Sequence, residues 1–347
     1  MSQIRIGMMG FGQVGRQIYR LALEDDRYEV VAVSDIGQPE ILHHLLTKSM
    51  ARQVPVRLEG NYLVSRRQRS GSDARCRTRL LPADQPAEIP WDVLGADLVI
   101  DTTARFRSPG ALAPHLENGA RRVILSTLPE GDLDRVVLYG VNQHSIAAED
   151  RIVSAGSAST TAMALALKVV AEAGPIEHAT MTSVHAYTSD QILQDYAGPD
   201  YRRSRSGAEN IIPNETPAPD WVERLMPRFA GRLSGFAMNV PVQAGSLLDM
   251  TVAFADEGIS PQAINDLFVA ASATEPEVIA ATGDPIVSSD VKGCSQSILV
   301  DLKGTLKAGS RMIKVLAWHE SLGHARRILD LAALYAGLDA GRAREAA

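Results

Sequence analysis

Ser154 to Ala166 reads SAGSASTTAMALA. Ser157, Ser159 and Thr160 crowd small hydroxyls ahead of an apolar, helix-like run. An enzyme can hold a nucleophile at such a place, because the first N–H groups of a helix are unpaired and stabilise developing negative charge. The same residue types are also ordinary helix caps. The stretch holds no cysteine, histidine or acid, so alone it does not choose between these readings. A second pattern opens the chain. Gly10, Gly12 and Gly15 form G-x-G-x-x-G around Phe11, Gln13 and Val14, and Asp35 follows Gly15 by twenty residues. Such glycines tighten a turn and let a pyrophosphate approach the backbone at a helix N-terminus. An acid at that distance accepts hydrogen bonds from the adenosine ribose and repels a 2′-phosphate, which points to NAD rather than NADP.

These residues need elements to position them. IRIGMMG reads as a buried strand, QVGRQIYRLALE as an amphipathic helix and YEVVAVSD as a second strand. EILHHLLTKSM and PGALAPHLENGA read as helices, and ADLVIDTT and RRVILST as strands. This βαβ series is the signature of a parallel sheet with helices on its faces. Between Arg52 and Pro90 the pattern turns short and polar, as for an antiparallel insertion. Beyond Ser159 a long apolar helix precedes the strand-like ATMTSVHAYT, GFAMNVPV, GSLLDMTVAF, QSILVDL and MIKVLAWH. A second domain on a large mixed or antiparallel sheet is expected there. The chain closes on a helical HARRILDLAALYAGL.

Composition bounds the function. The 347 residues suffice for two domains, and 45% hydrophobic with 22% charged residues is ordinary for a globular protein. A net charge of −6 argues against a general nucleic-acid binder. No apolar run is long enough to span a bilayer, and no signal peptide is read at the start. Two cysteines, Cys76 and Cys294, predict a reducing, cytoplasmic compartment without a disulfide framework. His43 and His44 are adjacent and read as surface or packing residues, so no metal site is expected.

GMMGFGQVGRQIYR resembles the first turn of the glyceraldehyde-3-phosphate dehydrogenase family. VVAVSDI, GARRVILST, YGVNQHS, VHAYTSDQ, YRRSRSGAENIIP, GRLSGFAMNVP, VSSDVKG and KVLAWHESLGH agree in order, from Ile4 to Leu331. The resemblance implies an α/β fold: a Rossmann NAD-binding domain over 1–157, completed by a C-terminal helix over 322–347, and an α+β catalytic domain over 158–321. It implies a homotetramer, with QILQDYAGPDYRRSRSGAENIIP near a neighbour's cofactor. Cofactor contacts are implied for Gly10, Phe11, Gly12, Gln13, Val14, Gly15, Asp35, Ile36, Thr103, Ser126 and Ser321. Substrate or phosphate contacts are implied for Ser157, Thr160, Thr188, Asp190, Arg203, Thr216 and Asn239.

In this family a cysteine thiolate attacks an aldehyde, a histidine takes the hydroxyl proton as hydride leaves, and phosphate attacks the thioester. His185 matches the histidine. The cysteine is missing from S-x-x-S-C-T-T. Aligning the Thr-Thr pair puts Ser159 in its place, one residue late relative to Ile152 and Val153. Asn239 stands for an arginine that grips substrate phosphate, Thr216-Pro217 for a Thr-Gly of the phosphate site, and Ser321 for the asparagine that orients the nicotinamide. Arg202, Arg203 and Arg205 remain, one of them to serve an anion. The preferred reading is an NAD-dependent oxidoreductase of a small aldehyde, a divergent member or a cysteine-to-serine variant, with phosphate's part open. A second is a silent NAD-binding homologue with a regulatory or assembly role. In a third, His185 is the base for direct hydride transfer and Ser159 only a hydrogen-bond donor.

Overall fold

The computed structural model describes residues 3–49, 55–69, 72–188 and 191–345. The chain divides into two compact units. Unit 1 comprises Met1–Val137, Gln143–Gly156 and Ala325–Ala347, and unit 2 comprises Leu138–Asn142 and Ser157–His324.

Unit 1 runs β1 (Ile4–Met9), α1 (Gln13–Leu23), β2 (Tyr28–Ser34), α2 (Pro39–Ser49), β3 (Val56–Glu59), β4 (Tyr62–Arg69), β5 (Ser72–Leu81), α3 (Trp91–Leu94), β6 (Leu98–Asp101), α4 (Pro109–Glu117), β7 (Arg122–Leu125), β8 (Arg135–Val136) and β9 (Ile152–Ser154). Its nine strands are ordered β3-β4-β5-β2-β1-β6-β7-β9-β8. All pairs from β5 to β8 are parallel. Only β3–β4 and β4–β5 are antiparallel, which is the insertion that the polar stretch after Arg52 foretold. Central strands are buried on both faces and read as apolar runs. Register sets Met9 level with Ser34 and Asp101, Asp101 with Leu125, and Leu125 with Ser154. The loops that follow, carrying Gly10, Asp35, Thr103 and Ser126, therefore leave one edge of the sheet. That carboxyl edge is where ligands bind in doubly wound sheets.

The last helix, α8, spans Ser321–Glu345. Its later turns belong to unit 1. The Tyr28 hydroxyl donates to the Leu329 carbonyl at 2.8 Å, and the Tyr335 hydroxyl to Asp150 at 2.8 Å. Burial pushes the Asp150 carboxyl up, but Arg135, the Ala147 N–H and Tyr335 together hold it below the usual carboxylate range.

Unit 2 runs α5 (Ala158–Val170), β10 (Ile176–Ala186), β11 (Ile212–Asn214), α6 (Ala218–Leu225), β12 (Leu233–Val240), β13 (Ser246–Phe254), α7 (Pro261–Thr274), β14 (Ile279–Thr282), β15 (Ile298–Ala308) and β16 (Met312–His319). The sheet order is β11-β12-β10-β13-β16-β15-β14. It is mixed: β10–β12 and β14–β15 are parallel, the other pairs antiparallel. Helix α5 packs on β13 and β16 and between α6 and α7. Met163, Leu165, Leu167 and Val170 on it are fully buried, and with Ala162, Ala164, Ala166 and Val169 among them it is apolar nearly all round beyond its first turn, as a core helix must be. Replacing one such leucine by alanine costs about 2–5 kcal/mol.

Candidate functional site

Unit 2 gathers hydroxyls around one imidazole. Ser157 is extended, and its Oγ accepts from the Thr160 N–H at 3.2 Å, so it caps α5. Its Oγ also lies 2.8 Å from Thr160 Oγ1. The helix opens at Ala158, and Ser159 is its second residue. The residue that begins the helix therefore carries a methyl group. Cap geometry, not a boundary convention, fixes the point.

His185 sits on β10 with its ring reaching α5. Ser159 Oγ is 3.3 Å from His185 Nε2, and Ser183 Oγ is 3.0 Å from the same nitrogen. Ser183 also donates to Ser159 Oγ at 3.5 Å. Ser183 escaped the reading of the sequence. Its signal was available, since it precedes His185 by two on a strand and so shares its face. The ring of His319 stands edge-on to His185, with centroids 5.9 Å apart. Burial, then His185 and His324, push the His319 imidazole down to about 3, so it is neutral. Its Nε2 is buried without a hydrogen-bond partner. No local pattern marks His319, because only the pairing of β13 with β16, which sets it opposite Ser246, fixes its place in the sheet.

Asn239 lies opposite His185 across β10–β12. Its side chain is tied into a chain of amides. Asn239 Nδ2 donates to Gln191 Oε1 at 3.3 Å, and Asn214 Nδ2 donates to Asn239 Oδ1 at 3.2 Å. Gln191 in turn donates to the carbonyls of Arg203 and Arg205. Arg205 is paired with Asp195 at 2.9 Å. The amide set that holds Asn239 is therefore neutral, with one Nδ2 hydrogen of Asn239 used by Gln191 and the other left over. Thr216 Oγ1 accepts from the Ala218 N–H at 3.3 Å, and Pro217 caps α6, so both serve the start of that helix. Thr188 is exposed, and Asp190 lies outside the described residues.

The glycine loop belongs to unit 1. Gly10 has φ +91°, and a Cβ on Gly15 would fall 2.5 Å from the Gly10 carbonyl, so both positions need glycine. Gly12 caps α1 without any side-chain partner and has open space around it. Phe11 is buried against Tyr19, which fixes the turn from beneath. Asp35 Oδ2 accepts from the Phe11 N–H at 2.7 Å and Oδ1 from the Gly37 N–H at 2.8 Å. Gln13 is exposed, Val14 half-buried and Ile36 exposed, while Ser126 is buried.

Residues 4–109 match the family model described as the glyceraldehyde 3-phosphate dehydrogenase NAD binding domain. Residues 157–321 match that of the C-terminal domain. The chain belongs to the glyceraldehyde-3-phosphate dehydrogenase family. It is 36% identical over 341 residues to glyceraldehyde-3-phosphate dehydrogenase of Borreliella burgdorferi, covering 95% of this chain and 98% of that one. It is 37% identical over 338 residues to the protein of that name from Kitasatospora aureofaciens, covering 96% and 99%. The Pseudomonas aeruginosa protein is 36% identical over 335 residues, covering 95% and 97%.

NAD is the cofactor, and the residues present fit it. The uncapped start of α1 leaves backbone N–H groups for a pyrophosphate, and a side chain on Gly12 would intrude on that approach. Asp35, although it already braces Phe11 and Gly37, has lone pairs left on both oxygens for ribose hydroxyls. Thr103 is held for its part by Asp101, whose Oδ1 accepts from the Thr103 N–H at 2.8 Å and its hydroxyl at 2.7 Å. Ser321 opens α8 in unit 2. Among the described residues no group of three or more His, Cys, Asp or Glu could hold a metal, and no helix is long and apolar enough to cross a membrane.

Proposed function

We propose that the chain is an NAD-dependent oxidoreductase of a small aldehyde that works without a covalent thioester. The observation that carries this reading is the hydroxyl–imidazole cluster, Ser159 and Ser183 on His185 Nε2, at the start of a helix that opens with Ala158. The spacing S-x-x-S-C-T-T, laid on Ser154 and Ser157, sets Ala158 where the family has its thiol and Ser159 one place beyond. No sulfur is then available to the aldehyde carbon from α5. A serine hydroxyl is a much weaker acid than a thiol and its ester a poorer acyl donor, so acyl transfer to phosphate loses on both steps.

A hydrated aldehyde needs neither. When bound, NAD supplies the hydride acceptor. His185 Nε2 takes the proton of one hydrate hydroxyl, the carbon loses its C–H electron pair, and the C=O of a carboxylic acid forms. Ser159 and Ser183 hold the imidazole and the substrate oxygen. Asn239, locked in its amide chain, offers a neutral hydrogen bond where the family offers a charge, which favours an unphosphorylated substrate. Two free cysteines fit the cytoplasm, and family membership supports a tetramer.

The test is NADH formation over a panel of small aldehydes, phosphorylated and not, with and without inorganic phosphate. Turnover on unphosphorylated aldehydes, unchanged by phosphate and reduced about 10²–10⁴-fold by His185→Gln, is expected. Turnover that requires phosphate would overturn the reading. NAD binding without turnover on any aldehyde would favour the silent homologue, whose support is the same methyl group at position 158.

A further inference from the structure

The whole-chain charge conceals an opposite local one. Residues 52–79 contain eight arginines and no lysine, against Glu59 and Asp73 alone, in a chain of net charge −6. Seven of these arginines lie on the strands of the insertion, β3, β4 and β5. Register shows how the arginines are distributed. Arg57 and Arg77 both lie opposite Val64, Arg75 lies opposite Arg66, and Arg79 opposite Tyr62. Alternate residues of a strand point the same way, so these five arginines share one face. The other face carries Leu63, Ser65, Thr78 and Leu80, all buried. Folding explains that buried face. It does not explain the arginines, since like charges directly opposite on a sheet destabilise it.

The arginines are also held in place. The Arg77 guanidinium lies 4.2 Å from the Tyr62 ring centroid and that of Arg79 lies 4.9 Å from it. Arg79 Nη1 donates to the Tyr62 hydroxyl at 2.9 Å. Arg75 is paired with Glu59, the one acid that register sets beside Tyr62 on this face. We propose that this face docks an extended acidic peptide segment of a partner protein. Arg75, Arg77 and Arg79 repeat at about 7 Å along β5, the repeat of alternate side chains in an extended peptide. The guanidinium fork suits carboxylates, and rings that pre-orient it reduce the entropy lost on binding. A long polynucleotide would run beyond the hairpin onto an acidic chain. A membrane would need an apolar anchor, and Val64 is buried beneath its arginine neighbours with only 6% exposed.

The experiment is fluorescence anisotropy of the full chain with a labelled ten-residue peptide of alternating Asp and Ser. An Asn-for-Asp peptide, an oligothymidylate and phosphatidylserine vesicles are run beside it. Binding of the Asp peptide that falls at least tenfold in Arg75→Glu/Arg77→Glu, and weakens with salt, is the expected result. NADH binding of the variant, unchanged, certifies its fold. No binding of the Asp peptide, equal binding by the variant or the Asn peptide, or tighter binding of the oligonucleotide or vesicles would each overturn the proposal.

Discussion

At the scale of the residue, the proposed chemistry turns on the difference between Ala158 and Ser159. A thiol at the first position of α5 would meet the unpaired N–H groups of the helix, which favour a thiolate. Ala158→Cys is therefore expected to gain a thiol that iodoacetamide alkylates near neutral pH, and to make NADH formation respond to phosphate. Ser159→Cys, whose sulfur would face His185 Nε2, is expected to gain a reactive thiol but no response to phosphate. If Ser159→Cys alone gains both, Ser159 holds the thiol's place and the present assignment fails. Spacing from the motif's first serine favours Ala158, and spacing from its threonines favours Ser159. His319 makes a second prediction. Its folded imidazole stays neutral down to about pH 3, whereas an unfolded histidine takes a proton near 6.5. Between those values the unfolded state binds the extra proton, so stability falls as pH falls, by up to about 1.4 kcal/mol per pH unit. His319→Phe should flatten the urea-midpoint profile between pH 6.5 and 4. An unaltered slope would show that His319 does not titrate in this way.

At the scale of the element, a buried chain of hydrogen bonds steadies a loop of the cofactor edge. Trp91 Nε1 donates to His115 Nδ1 at 3.0 Å, and His115 Nε2 faces Asp101 Oδ2 at 3.4 Å. All three side chains are fully buried. The indole occupies Nδ1 as an acceptor, so the His115 proton is on Nε2 and points at the carboxylate. Asp101 then holds Thr103, next to Ala104, which has φ +58°, a conformation that a residue with a Cβ adopts only under such constraint. Asp101→Asn would set an amide N–H against the His115 N–H. It should weaken NADH binding at least tenfold by fluorescence titration and lower stability by about 1–3 kcal/mol. Unchanged NADH affinity would make the chain a packing feature only. The βαβ alternation was legible because the central strands are apolar runs between turn signals. The short β11 and β14 were not, since three or four residues carry no period, and their pairing with β12 and β15 is settled by the sheet.

At the scale of the whole molecule, the family, the NAD loop and the division into strands could be read from one sequence because each rests on local spacing. What could not be read depends on partners distant along the chain. Asn239 comes to stand beside Asn214, and His319 beside His185, through strand pairing, and Gln191 reaches Asn239 from a loop. The net charge is silent on local detail for the opposite reason, since summing over 347 residues hides the arginine face of one hairpin. The amides and the methyl group support the proposed function together, since on that proposal both remove what a phosphorylating thioester route needs and leave His185 with its hydroxyls. The most direct test takes one reaction mixture of protein, NAD and an unphosphorylated aldehyde that turns over, without phosphate. NADH is read by absorbance, and the acid-quenched protein is weighed intact by mass spectrometry. NADH accumulating over many turnovers, with the protein at its unmodified mass, is the expected result. An acyl adduct on Ser159 in step with a single equivalent of NADH would contradict it.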